Sequence, residues 1–290
     1  MSTNTNTRIR KKYVHGEYSL GRKILVYALL IIGLAFFLLP IIWMLSTALK
    51  TLPETQAFPP KWIPSFHWDN FIQIFIKEPF GQYMWNSVWY TVVTVVSTTF
   101  FSAFAAFGFA RLRARGKTVL FGVVLSTMML PPQVTMIPQY LLFNRIGWVD
   151  TYLPLIVPTI GGSAFTIFLL RQFYMGIPRE LDEAVKIDGG GYFTLFFRIL
   201  LPLSVPGMAT AAIMEFMYRW NDLIGPLIYL STPSKYPLSL GLANFTAAFA
   251  QTPWNLLMAA SFVAVLPPLI LFFFAQKYFI RGIVISGTKG

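Results

Sequence analysis

A chain of 290 residues with 56% hydrophobic and only 12% charged side chains, and a mean hydropathy of +0.60, is too apolar for a soluble domain and reads as a membrane protein. The absence of cysteine excludes disulfides, thiolate chemistry and Cys-based metal sites, and two histidines, His15 and His67, leave little for a metal. A net charge of +12 would suggest nucleic acid only if the bases shared one face, so their distribution along the chain decides its meaning.

A hydrocarbon core about 30 Å thick needs roughly 20 helical residues at about 1.5 Å each. Six segments approach that length, near 24–48, 86–110, 118–138, 152–172, 202–225 and 254–276, which predicts an all-α, polytopic protein. Arg8, Arg10, Lys11, Lys12, Arg22 and Lys23 precede the first, so residues 1–23 form a basic segment. The apolar run that follows is far longer than a signal-peptide core and is read as an uncleaved span. With the N-terminus inside, 17 bases fall on the cytoplasmic side, 5 remain outside (Lys50, Lys61, Lys77, Arg145 and Lys235), and Arg219 lies within a span. The positive-inside rule thus accounts for the basic charge without nucleic acid and places both termini in the cytoplasm.

Residues 51–85, rich in proline and carrying Trp62, Trp68, Phe71, Phe75 and Trp85, suit a lid at the outer membrane interface. The basic group Arg111, Arg113, Arg115 and Lys117 reads as a positive-inside anchor. Gly116-Lys117-Thr118 is not a phosphate loop, because Arg111 stands where the first glycine is required. Pro131 and Pro132 in the third span, and Pro267 and Pro268 in the sixth, remove backbone donors that neighbouring helices or water must replace. No repeat or low-complexity tract is visible.

The largest internal cytoplasmic loop, 173–201, contains RELDEAVKIDGGGYFTLFFRILLP from Arg179 to Pro202. Pro178 suits a first helical turn, Glu180, Asp182 and Glu183 favour the positive end of the dipole, and Gly189, Gly190 and Gly191 end the helix after about three turns. Leu181, Ala184, Val185 and Asp188 share one face, a narrow apolar stripe suited either to docking on a partner or to lying on the inner leaflet. A second short helix runs from Tyr192 to Leu200. In the fifth span Glu215, Arg219 and Asp222, spaced i, i+4 and i+7, share a helix face with Asn221 beside it. Charges at membrane depth require pairing or water. The face is either a wet path, with Trp220 and Asn221 meeting a sugar by stacking and hydrogen bonding, or an ion pair that fixes packing. The Asn244-Phe245-Thr246 sequon has no supporting context.

The spacing Glu183-Ala184-Val185, three residues, Gly189, nine residues, Ile199, one residue, Leu201-Pro202 resembles the EAA loop of binding-protein-dependent ABC importer permeases, with Val185 in place of the third-position alanine. RWNDLIGPLIYL (Arg219 to Leu230) and the ending QKYFIRGIVISGTKG are similar to the carbohydrate branch, the maltose-type second permease subunit. The resemblance implies a type I ABC importer permease fold of six spans over 24–276. It also implies an EAA loop whose Glu183, Ala184, Val185, Asp188, Gly189, Ile199, Leu201 and Pro202 dock on an ATPase, and a C-terminal tail, 277–290, reaching toward that ATPase. The implied partners are a second permease, two ATPase subunits carrying ATP and Mg, and an extracytoplasmic solute-binding protein facing the loop near Leu230 to Pro253. A carbohydrate substrate and a bacterial or archaeal plasma membrane follow from the same resemblance. The chain itself would bind no cofactor or metal, have no catalytic residue, and offer Glu215, Arg219, Trp220, Asn221 and Asp222 to the translocation path. The rival readings are a permease for another solute and an ion-coupled secondary transporter, which would be expected to show titratable groups near the midplane and repeat halves.

Overall fold

The computed structural model describes residues 20–245 and 252–286; the basic residues before Leu20, Thr246 of the sequon and the last four residues of the tail lie outside them. Helix α1 (Leu20–Ala48) is followed by the short α2 (Leu52–Thr55) and α3 (Asn70–Lys77), then by α4 (Phe80–Arg111). Next come α5 (Lys117–Thr127) and α6 (Pro132–Arg145), and α7 (Leu153–Ile156), which passes through a 3-10 turn into α8 (Ala164–Met175). Helix α9 (Glu180–Ile187) precedes α10 (Tyr192–Thr194), which continues through a π-helical stretch, Leu195–Leu200, into α11 (Leu201–Leu203). Helices α12 (Val205–Trp220), α13 (Ile224–Tyr229), α14 (Leu238–Phe245) and α15 (Trp254–Ser286) complete the all-helical fold.

Among the described residues four helical stretches are long and apolar enough to cross a bilayer, and two bent pairs bring the number to six if each is one span: α5 with α6 at 95°, and Tyr192–Leu203 with α12 at 72°. The expected third span, 118–138, is therefore not straight: Pro131 and Pro132 lack the N–H groups that would carry α5 onward, and Pro132 instead starts α6. The expected fifth span is broken at Ser204, because Pro206 cannot donate to the carbonyl of residue 202. Helix α4 starts six residues earlier than expected and takes in Trp85; α3, packed on α15, keeps Phe71 and Phe75 in the lid.

Helix α4 is the axis of the bundle. Ser87, Thr91, Thr94, Thr98, Ser102, Ala106 and Ala110 recur at helical spacing and are all buried, against α8 and α12. Small residues let backbones approach closely in lipid, where burial against other apolar groups gives no advantage over burial in acyl chains. Beyond one end of the bundle, Asn70 Nδ2 donates to the carbonyls of Ala48 at 2.8 Å and Lys50 at 2.9 Å, and Asn255 Nδ2 donates to Asn70 Oδ1 at 3.0 Å, joining α1, α3 and α15. At the same end Asp150 pairs with Lys235 at 2.8 Å and accepts from Thr232, which closes the loop after α13; these bonds, that to Lys235 foremost, hold its carboxyl well below the usual range.

At the opposite end Arg111, expected as part of a solvated anchor, is buried, with a side chain 3% exposed. Its Nη2 donates to the carbonyls of Tyr174 at 2.7 Å and Ile177 at 2.8 Å, and its Nη1 faces Asp182 at 3.4 Å. One guanidinium thus donates to carbonyls at and just beyond the end of α8 and ties α9 to the end of α4.

Trp220 also departs from expectation. It is 6% exposed, stacks on Phe216, and donates its indole N–H to the carbonyl of Ala264 at 3.1 Å, so its N–H and one ring face are already engaged within the protein. Ala264 lies four residues before Pro268 inside α15, and the carbonyl it accepts with is the one that Pro268, lacking an N–H, leaves unpaired. Trp220→Phe should therefore cost about 1–3 kcal/mol, more than the same change at exposed Trp85, read as a lower midpoint for thermal unfolding in detergent. Arg111→Met should cost on the order of 3 kcal/mol and raise amide exchange across 176–191. Asp182→Asn should cost less, since the two carbonyl bonds of Arg111 are shorter than its contact with Asp182. Equal exchange in the two variants would contradict this ranking.

Candidate functional site

Two surfaces hold the residues singled out by sequence. The first is the turn after α9. This helix is 8 residues long, shorter than the three turns expected, and ends in a Schellman arrangement: Gly189 N–H donates to Lys186 O at 3.0 Å and Gly190 N–H to Val185 O at 2.7 Å. Gly189 has φ +77°, where a side chain would be strained, and a Cβ on Gly190 would lie 2.7 Å from Val185 Cγ1.

Glu183, Ala184, Asp188 and Gly189 lie together on the exposed side of this turn. Val185 does not: it is 8% exposed and packs with Leu195 and Phe196 in the core. A helix anchored along one edge must turn one residue of its apolar stripe inward, and the site of the alanine-to-valine departure fills that role. Ile199 and Leu201 are half-buried against the same core, and only Pro202 among the distal motif positions is exposed. Ile187, Tyr192 and Phe193 add exposed apolar surface beside the turn that the motif alone does not mark. Arg111, which positions the turn, was likewise missed, because a basic cluster after a span reads as an anchor; its place at the last residue of α4 was the available signal.

The second surface is the seam between α4 and α12. Arg219 Nε donates to Glu215 Oε1 at 2.7 Å, the pair anticipated from i, i+4 spacing, and Thr98 Oγ1 donates to the same carboxylate at 3.3 Å. Asp222 does not continue that face, since α12 ends at Trp220 and Asn221 caps it. Asp222 is held beyond the helix end: Tyr90 Oη donates to its Oδ2 at 3.2 Å and Gly225 N–H to its Oδ1 at 3.0 Å. A cavity of about 920 Å³ opens beside the seam, lined by Arg219, Asn221 and Asp222 on one wall and by Gln133, Thr135 and Gln139 of α6 on another. The bend between α5 and α6 creates this space, so the amide and hydroxyl groups of α6 escaped a reading that took 118–138 as one straight span. The wall supplies hydrogen-bond donors and acceptors around one ion pair. Among the described residues no group of three or more His, Asp or Glu is arranged to hold a metal ion.

The chain is similar to known proteins along nearly its whole length. The family model for "Binding-protein-dependent transport system inner membrane component" matches residues 98–285, a range that includes both surfaces. A probable ABC transporter permease protein, YurM of Bacillus subtilis, is 35% identical over 284 residues, covering 97% of this chain and 91% of that protein. The arabinooligosaccharides transport system permease protein AraQ of Halalkalibacterium halodurans is 34% identical, covering 84% of this chain and 86% of that protein. In fold, the chain is similar to a crystal structure of a bacterial ABC transporter involved in the import of the acidic polysaccharide alginate, at a TM-score of 0.78 and 23% identity, over 90% of this chain and 99% of that one. The chain belongs to the family of inner membrane components of binding-protein-dependent transport systems, as a multi-pass permease subunit of the plasma membrane.

Proposed function

We propose that this permease carries a sugar or oligosaccharide inward as part of an ATP-driven importer, with the α9 turn as the surface on which a separate ATPase subunit docks. The observation that carries the reading is the exposed turn Glu183, Ala184, Asp188 and Gly189, positioned by Arg111 within the region the family model matches. The arabinooligosaccharide relative and the alginate importer support a carbohydrate substrate. The excess of bases on the α9 side supports a cytoplasmic location for that end, in a bacterial or archaeal plasma membrane. In this arrangement residues 1–23 are a cytoplasmic basic segment, 24–276 the permease and 277–290 a cytoplasmic tail. A second permease completes the pathway, two ATPase subunits hold ATP and Mg, and a solute-binding protein docks at the far end, near 230–253.

The geometry supplies a route for coupling. Closure of the ATPases would displace α9, and Arg111 would pass that displacement to the ends of α4 and α8. Chain beyond the turn leads through the π-helical stretch and the bend at Ser204 into α12, which carries Arg219, paired with Glu215, to the cavity. The cavity's amides and hydroxyls suit a polyhydroxylated solute better than an apolar one.

Gly189→Val forces a β-branched residue into a positive φ and should distort the exposed turn without touching the membrane core. The variant is expected to insert and to retain its partner permease, but to lose copurifying ATPase and sugar uptake together. Undiminished ATPase recovery with full uptake would defeat the docking assignment. Recovery of the wild-type chain alone, moving solute in vesicles without ATP, would replace the importer reading with an ion-coupled one.

A further inference from the structure

At the end of the bundle opposite α9, a cavity of about 330 Å³ opens between the C-terminal end of α1, α2 and the N-terminal end of α15. Lys50, 2% exposed, lines it with its ammonium 4.4 Å from the Trp43 ring, and no carboxylate among the described residues forms an ion pair with it. Burial pushes the Lys50 ammonium below its usual range, against the opposing pull of the Glu54 carboxylate. Thr47 lines the same cavity, is 7% exposed, and has a buried Oγ1 without a hydrogen-bond partner. Buried polar groups are rarely left unmet unless something outside the chain meets them.

The chemistry of the wall selects an anion. Glu54, the acid on this wall, is already engaged: its Oε2 accepts from Thr51 N–H at 3.0 Å and from the Ser65 hydroxyl, and its Oε1 faces Lys61 at 3.9 Å. Lys50 and Lys61 against Glu54 leave one net positive charge, which a phosphodiester monoanion neutralises. The surroundings select a lipid. Phe58, Trp62 and Ile63 are exposed on the lid beside the cavity, and Leu39 and Ile42 are exposed on α1, so an acyl chain could run along α1 from a headgroup held here. We propose that this pocket binds the phosphate of a phospholipid headgroup through Lys50 and Thr47. Its assignment to the outer leaflet rests on the orientation proposed above, whereas the site itself rests on the residues alone.

The test uses the assembled complex, purified in mild detergent and titrated with phosphatidylglycerol, with bound lipid counted by native mass spectrometry. Wild type should hold one more lipid than Lys50→Gln or Thr47→Val, with apparent affinity lowered about tenfold in each, while Lys50→Arg keeps it. Thr47→Val preserves side-chain volume, so its lipid count remains decisive should Lys50→Gln fail to assemble. Inorganic phosphate in large excess should leave the lipid in place. Displacement by inorganic phosphate would overturn the lipid assignment in favour of a free anion. Equal lipid occupancy in wild type and in the assembled variants would overturn the site, with ATPase recovery in the same preparations showing that the permease reading is unaffected.

Discussion

Inside a bilayer no water is available to satisfy a stranded backbone group, so each break in a span must find its partner within the protein. The fold meets this constraint around α4, whose face of Ser, Thr and Ala residues draws α8 and α12 close enough for side chains to reach backbone across helices. Where Pro268 strands the carbonyl of Ala264, the indole of Trp220 reaches it. Where α8 ends, the Arg111 guanidinium takes one carbonyl of its last turn and one just beyond it. Ser204, at the bend before α12, is buried and turns its hydroxyl back to the carbonyl of Leu201 at 2.9 Å. These three breaks therefore lie where close packing supports them, whereas the bend between α5 and α6 is exposed.

Those same breaks shape both candidate surfaces. The bend between α5 and α6 opens the cavity beside Arg219 and Asp222, and the bend at Ser204 joins that cavity's wall to the exposed turn. A straight run from α5 into α6 would bury its backbone more simply but would not leave this polar space beside α12. The Glu215–Arg219 pair belongs to both descriptions: it is a partly buried ion pair with Thr98 as a third member, and it stands next to the cavity. A charged pair at that depth costs less where one side is wet.

Hydropathy alone located the spans, because their length and apolarity are properties of continuous segments. The α9 turn was legible for another reason: a long, gapped pattern of residue types carries more information than composition. Three of the features that escaped share one cause. Val185 looked outward because the stripe of an isolated helix does not say which edge is anchored. Trp220 looked like a stacking platform because the need it meets arises at Pro268, 48 positions later, and only the fold brings the two together. Asp222 seemed to continue a helix face because no local signal places the end of α12 at Trp220. In each case a tertiary partner decided the orientation or extent of a local element.

The proposed function requires the α9 turn to be the surface that meets the ATPase. Because the chain contains no cysteine, Ala184→Cys places one thiol on that surface and nowhere else. In the purified complex, a short-armed thiol-to-amine cross-linker should join this position to the ATPase subunit, with a yield that changes when ATP is added. A product joined to lipid or to the partner permease instead, with none to the ATPase in either nucleotide state, would contradict the account at its centre.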